Sequence, residues 1–188
     1  MGTVAQGVWR HLEENHSEMS RRLGADYELS IACVRSIAKK RGVDIPVEKL
    51  TENPDDVVLN PEIDIVCELM GGVDEAFKLV KKAIELGKIV ITANKAMLCE
   101  KGAEIFELLA KNPKSQIFFE ASVAGGIPII KSLREGLVAN NFSLIYGILN
   151  GTCNYILTRM ERENASYDAV LADARRLGYV EADESLDI

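Results

Sequence analysis

Apolar residues recur along the chain at two different spacings, and these spacings separate expected helices from expected strands. Helical spacing predicts helices at 4–23, 54–60, 74–86, 96–111, 128–139, 152–163 and 166–177. Short runs rich in strand-forming residues predict strands at 27–35, 62–69, 88–92, 115–122 and 142–149. Gly24 and Gly87 stand directly after helical patterns and are natural stops for them.

The alternation of strand and helix up to residue 122 predicts a doubly wound α/β fold with a parallel sheet of the Rossmann type. The runs at 62–69 and 88–92 each contain an unbroken apolar stretch, which predicts strands covered on both faces of the sheet. No strand precedes the first helix, so the first strand of this sheet is expected to be missing.

The pattern changes after residue 122, where a helix and a strand lead into two consecutive helices. We therefore expect two domains, 1–122 and 123–188, of which the second begins with an α+β arrangement. The last residues form an acidic stretch with no terminating element, so we expect the chain to be truncated at both ends.

Composition narrows the function classes. The 188 residues carry a net charge of −7 and are 47% hydrophobic, which describes a soluble globular protein and argues against a nucleic-acid partner. No apolar run is long enough to cross a bilayer and no signal peptide is recognisable, so we expect no membrane partner and a cytoplasmic location. The four cysteines are scattered, which predicts reduced, mostly buried thiols rather than a metal site.

The first residues, Gly2-Thr3-Val4-Ala5, fit the last four positions of the G-x-G-x-x-G/A turn that binds a dinucleotide. An ordinary helix start with a glycine cap explains them as well. At the end of the next expected strand, where an acid would bind the ribose of NAD, the chain has Arg35, followed by three further basic residues. This favours NADP over NAD, and the alternative is a solvated basic patch.

Three further segments carry candidate chemistry. Lys95 follows a predicted strand directly, at the edge where such sheets bind ligands, although a surface lysine at a helix start fits too. Glu120 precedes a glycine-bearing turn with carbonyls that suit a hard cation, but a glutamate bonded to backbone N–H groups is the commoner case. Asn150-Gly151-Thr152 joins a strand to a helix and is explained by a turn with a cap.

Taken in order, the segments GTVA, TANKA, EASVAGGIP, NGTCNYILTRM and RRLGYVEAD resemble homoserine dehydrogenase over essentially all 188 residues. The resemblance implies an oxidoreductase that interconverts L-homoserine and L-aspartate 4-semialdehyde with NADP(H) or NAD(H), in threonine, methionine and isoleucine biosynthesis. It also implies that 1–122 is the NAD(P)-binding domain and that 123–188 begins the substrate, catalytic and dimerisation domain, through which the full-length protein forms a homodimer.

The resemblance further implies residue roles. Cofactor-contacting positions fall on Gly2, Thr3, Val4, Arg35, Thr92 and Lys95. Substrate-binding positions fall on Glu181, Gly151, Thr152 and Tyr179, and catalytic ones on Lys95 and Asp187. Ligands of a monovalent cation such as sodium fall on Glu120, Val123, Gly125 and Ile127.

The chain also departs from the family pattern. Asp183-Glu184 stands where the family has Asp-Pro, and the first strand, the first glycine and a second lysine are lacking. We therefore expect weak or no catalysis from these 188 residues. The alternatives are another NADP-linked dehydrogenase, or a remnant that binds cofactor or dimerises without turnover.

Overall fold

The computed structural model describes residues 1–180, which fall into two compact units. The first unit is Met1–Ser122, and the second begins at Val123. Among the described residues, no helix combines the length and the apolar character that a bilayer crossing requires.

The first unit alternates helices and short strands, as the sequence predicts. Its helices are α1 (Thr3–Glu14), α2 (His16–Leu23), α3 (Asp55–Val58), α4 (Asp74–Glu85) and α5 (Lys95–Lys111). Its strands are β1 (Ala32–Cys33), β2 (Leu50–Thr51), β3 (Ile65–Glu68), β4 (Ile89–Thr92) and β5 (Gln116–Phe118). Short 3-10 turns cover Val47–Lys49 and Glu120–Ser122. The single helix expected at 4–23 is interrupted at Asn15, whose side-chain amide donates to the carbonyl of His11.

The α/β class with parallel strands is confirmed, but the strands form two sheets. β1 pairs with β2, and β4 lies between β3 and β5; all pairs are parallel. Dinucleotide-binding sheets have the strand order 3-2-1-4-5-6, numbered along the chain. β1 and β2 correspond to strands 2 and 3 of that order, and β3, β4 and β5 correspond to strands 4, 5 and 6. The remaining position, strand 1, lies between strands 2 and 4. No strand within residues 1–180 fills that position, and no ladder joins the two sheets.

The prediction that 62–69 is buried on both faces is wrong. Burial alternates along β3, and Ile65 and Cys67 on one face are exposed, as is Ile91 on β4. The prediction of mostly buried thiols is also wrong, since Cys33, Cys67 and Cys99 are exposed. The apolar residues of β3 and β4 predicted that other elements would cover both faces of the larger sheet, but the described residues leave one face uncovered.

The core of the first unit lies where α4 and α5 pack on the opposite face of the larger sheet. Fully buried side chains on these two helices and on β4 carry it: Ile84, Val80, Met97, Ile105 and Val90. Helix α4 stops where predicted, because Gly87 adopts a left-handed φ of 77°. Helix α5 begins with Asn94 as its cap, whose side chain accepts from the Met97 N–H.

The second unit is helical in its described part. Its elements are α6 (Ile129–Lys131), a π-helical turn (Ser132–Gly136), α7 (Gly151–Glu163) and α8 (Tyr167–Leu177). The last two confirm the predicted helix pair. The strand predicted at 142–149 is absent from the described residues, where this segment is exposed and has no partner strand. Strand-forming residues alone do not make a strand without a neighbouring chain to bond.

Helices α7 and α8 pack through a small apolar cluster around Ile156, Val170 and Leu171. At the start of α7 the buried Thr152 hydroxyl donates to the Tyr179 carbonyl over 2.7 Å. The ring of Tyr179 lies edge-on to Tyr155, with centroids 5.0 Å apart. These contacts bind the chain that leaves α8 back onto the first turn of α7.

Truncating the core should cost far more than truncating the uncovered sheet face. We expect Ile84→Ala to lower the free energy of unfolding by about 3 kcal/mol, because it leaves a cavity among packed side chains. The matched Ile91→Ala removes the same atoms from a side chain that is 37% exposed, and should cost less than about 1.5 kcal/mol. Urea denaturation measures both, and equal losses would show that the face is covered.

The hydrogen bond from Thr152 should be measurable against a threonine on the same helix. Thr152→Val keeps the shape but leaves the Tyr179 carbonyl without its donor, and should cost about 1–2 kcal/mol of unfolding free energy. Thr158→Val, at an exposed position of α7, should stay within about 0.5 kcal/mol of the parent. If the Thr152→Val protein were as stable as the Thr158→Val protein, the hydrogen bond from Thr152 to the Tyr179 carbonyl would make no measurable contribution to stability.

Candidate functional site

The N-terminus of α1 meets the requirements of an anion site. Gly2 caps the helix in an extended conformation without a side-chain bond, and no acidic residue lies in the first turn. The first intrahelical bond runs from Gln6 N–H to the Gly2 carbonyl over 3.1 Å. The N–H groups before Gln6 therefore have no acceptor within the helix, and they carry its partial positive charge.

The loop after β1 is held by a guanidinium and docked onto α1. Arg41 donates to the carbonyls of Ser36, Ile37 and Lys39, at 2.5, 3.1 and 2.7 Å. The next residue, Gly42, binds α1 in both directions. Its N–H donates to the Gln6 side chain over 2.7 Å, and its carbonyl accepts from Arg10 over 3.0 Å. Arg41 thus shapes the loop, a role that the basic pattern alone did not reveal.

Positive charge converges where this loop meets α1. The pKa of the Met1 amino group is lowered, first by partial burial and then by the nearby charges of Arg41, Lys39 and Arg35. Arg35 is exposed at the end of β1, and its guanidinium makes no hydrogen bond or ion pair with any residue of 1–180. The arrangement can therefore accept a phosphate from two sides, by helix N–H groups and by cationic side chains.

A second group of polar residues lies at the carboxyl edge of the larger sheet. Glu68 ends β3 and Thr92 ends β4, directly opposite each other in register. Both are buried, and the Thr92 hydroxyl donates to the Glu68 carboxylate over 2.5 Å. The sequence reasoning missed Glu68. The available signal was a glutamate inside an otherwise apolar strand, aligned with a threonine on the next strand.

Lys95 is the first residue of α5 and is exposed, directly after the buried cap Asn94. It therefore lies where the sequence predicted, at the carboxyl end of β4. Thr92, predicted to contact cofactor, is fully buried, and its hydroxyl is engaged by Glu68 and by the Asn94 N–H. The hydroxyl proton is thus committed to Glu68, and only one acceptor lone pair of Thr92 is left for a further bond.

The predicted cation ligands fall on both sides of the boundary between the units. Glu120 opens the 3-10 turn that ends the first unit. In the second unit, Val123, Gly125 and Ile127 lie in a tight turn in which the Ile127 N–H donates to the Ala124 carbonyl over 3.1 Å. Ala124 adopts a φ of 54°, which is unusual for a residue with a Cβ.

The predicted substrate residues of the second unit are Gly151, Thr152 and Tyr179. The structure brings them together at the start of α7, through the bond from Thr152 to the Tyr179 carbonyl. The Tyr179 side chain is half exposed, whereas Thr152 is buried. The two remaining predicted residues, Glu181 and Asp187, lie outside the described residues.

Two family models match the chain. The homoserine dehydrogenase NAD-binding domain matches residues 1–120, and the homoserine dehydrogenase domain matches 128–188. The first unit is thus a nicotinamide-dinucleotide-binding domain of this family. Among proteins of known function, a homoserine dehydrogenase of Neisseria gonorrhoeae is 46% identical over all 188 residues, which span 43% of its length.

Solved structures agree. A homoserine dehydrogenase from Thiobacillus denitrificans matches with a TM-score of 0.89 and 46% identity, over 100% of this chain and 43% of that one. A hyperthermophilic archaeal homoserine dehydrogenase in complex with NADPH matches with a TM-score of 0.62 and 34% identity, over 72% of this chain and 42% of that one. The chain thus spans less than half the length of these relatives. With family models that match both of its units, it belongs to the homoserine dehydrogenase family.

Proposed function

We propose that the chain is the cofactor-binding part, with the start of the substrate domain, of an enzyme that interconverts L-homoserine and L-aspartate 4-semialdehyde using NADP(H). The observation that carries the proposal is the convergence of the α1 N-terminus with Arg35, Lys39 and Arg41 at the end of β1. The pyrophosphate of a dinucleotide suits the helix N–H groups, and a further phosphate suits the basic loop.

NADP is favoured over NAD by the charge of this loop. A carboxylate at the end of β1 would bind a ribose 2′-hydroxyl and repel a 2′-phosphate, whereas this position holds Arg35. Because Arg41 already binds three loop carbonyls, we assign Arg35 the direct contact with the 2′-phosphate. The NADPH in the archaeal relative is consistent with this choice.

Lys95 is our candidate for moving the proton. Oxidation of homoserine converts a primary alcohol into an aldehyde, so a hydride and a proton leave the same carbon–oxygen group. The nicotinamide, when bound, accepts the hydride. Lys95 is exposed at the carboxyl end of β4, where its ammonium can donate a hydrogen bond to the substrate oxygen. Once the ammonium has released a proton to solvent, the neutral amine can take the proton of the alcohol.

Other assignments follow from the family and stay proposals. In the second unit, Gly151, Thr152 and Tyr179 are assigned to the substrate pocket, with Thr152 acting through the Tyr179 carbonyl that it binds. Glu181 and Asp187 are assigned to the amino and hydroxyl ends of homoserine. Val123, Gly125 and Ile127 offer carbonyls to a sodium ion, for which Glu120 is the assigned carboxylate. The assembly we propose is a cytoplasmic homodimer.

A second candidate is a unit that binds cofactor or dimerises without turnover. It is favoured by one observation, the 43% share of the relatives' length that this chain spans. Measurements of cofactor binding and of turnover separate the two candidates, because the second candidate predicts cofactor binding without turnover.

The experiment combines a titration with a rate. Calorimetry should detect binding of NADP+ by the chain, and homoserine should then cause slow formation of NADPH that is lost in Lys95→Met. Binding without homoserine-dependent NADPH would favour the second candidate. No binding of NADP+ or NAD+ would contradict the enzyme and the cofactor-binding form of the second candidate, and would leave only its dimerising form. Lys101→Met, on the same helix, is the matched control for loss of a lysine.

Arg35 should decide cofactor choice. Arg35→Ala should weaken NADP+ binding at least about tenfold, because charge-assisted hydrogen bonds to the 2′-phosphate are lost, and leave NAD+ binding within about twofold. The effect should shrink as salt is added, since the site is exposed. Arg22→Ala on α2 controls for loss of an exposed arginine. Equal weakening of both cofactors would refute the assignment of Arg35 to the 2′-phosphate.

A further inference from the structure

The buried carboxylate of Glu68 calls for an explanation. It is 4% exposed, and within residues 1–180 no lysine, arginine or histidine forms an ion pair with it. Two donors compensate instead. The Thr92 hydroxyl donates to Oε2 over 2.5 Å, and the Met70 N–H donates to Oε1 over 2.9 Å. Burying a charged group costs free energy. We therefore expect a carboxylate that is buried here with only two neutral donors to have a role that an apolar residue could not fill.

The carboxylate is the start of a continuous chain of hydrogen bonds. Thr92 Oγ1 donates to Glu68 and accepts from the Asn94 N–H over 3.0 Å. The Asn94 side chain then bonds in two directions. Its oxygen accepts from Met97 N–H at the first turn of α5 over 3.0 Å, and its amide donates to the Gly72 carbonyl over 2.7 Å. The loop after β3 and the start of α5 are thereby held as one piece.

We propose that Glu68 is a positioning residue for the nicotinamide end of the cofactor, acting through Thr92 and Asn94. The proposal rests on the function proposed above. The two loops that it holds leave the carboxyl ends of β3 and β4, where open α/β sheets bind ligands. The one after β4 also carries Lys95, our candidate proton carrier. The basic loop at α1 serves the phosphate end of the cofactor, so Glu68 should act on the other half.

The chemistry of the carboxylate makes the claim specific. An ionised carboxylate only accepts, so it suits both the hydroxyl of Thr92 and the N–H of Met70. A glutamine of nearly equal size offers one oxygen and one amide, and its amide opposes one of those two donors. Glu68→Gln should therefore disturb the loops without opening a cavity. Thr92→Val removes the hydroxyl at constant shape, and Thr92→Ser keeps it.

The test compares two ligands that differ only in the nicotinamide. NADPH binding is followed by nicotinamide fluorescence, and 2′-phospho-ADP-ribose binding by calorimetry, on the 188-residue chain. Glu68→Gln and Thr92→Val should weaken NADPH about tenfold and blunt its fluorescence change, while 2′-phospho-ADP-ribose stays within about twofold. Thr92→Ser should restore NADPH binding to near that of the parent. Glu62→Gln, exposed before the amino end of β3, is the control and should change neither.

Each other outcome has a definite meaning. Equal weakening of both ligands would make Glu68 a general stabiliser of the domain and overturn the proposal, as would unchanged NADPH binding. If the parent chain bound neither ligand, the proposed function itself would fail, and this inference with it. If circular dichroism showed that the Glu68→Gln protein does not fold, the comparison of Thr92→Val with Thr92→Ser would test the proposal instead. Indistinguishable NADPH affinities for these two variants would then refute it.

Discussion

Parallel pairing of β3, β4 and β5 is the constraint on which the first unit depends. Parallel strands end at the same edge, so each connecting segment must return the chain to the other edge, as α4 and α5 do here. Residues far apart in sequence then meet at the strand ends. Glu68 and Thr92 are 24 residues apart, yet lie opposite each other and share a hydrogen bond. Open α/β sheets bind their ligands outside the carboxyl ends of the strands, so the residues that can contact a ligand lie at this edge.

Local signals explain how much of the fold could be predicted. Helices α4, α5, α7 and α8 were predicted to within a residue or two, because amphipathic spacing, caps and glycine stops are encoded next to each other in the chain. The strand at 142–149 and the two-sided burial of 62–69 were wrong, because both depend on neighbours. A strand needs a partner, and a buried face needs cover, and neither can be read from the segment itself.

The candidate site divides in the same way. Gly2, Arg35 and Lys95 carry recognisable signals, since a glycine turn or a basic residue at a strand end has a direct reason to be there. The roles of Glu68 and Arg41 could not be read from sequence. They depend on strand register in the first case and on loop geometry in the second, where a guanidinium binds three carbonyls. Such residues act on other protein groups, and only the fold shows which ones.

The central claim is that a nicotinamide dinucleotide lies along the carboxyl edge of this sheet, with its phosphates at α1. Amide hydrogen exchange with and without NADP+ tests this most directly, because bound ligand slows exchange where backbone is covered or held. Added protection is expected at 2–6, 35–41 and 69–73, with none at the amino-edge segment 113–115. Protection at 113–115 with none at the other three segments would contradict this claim.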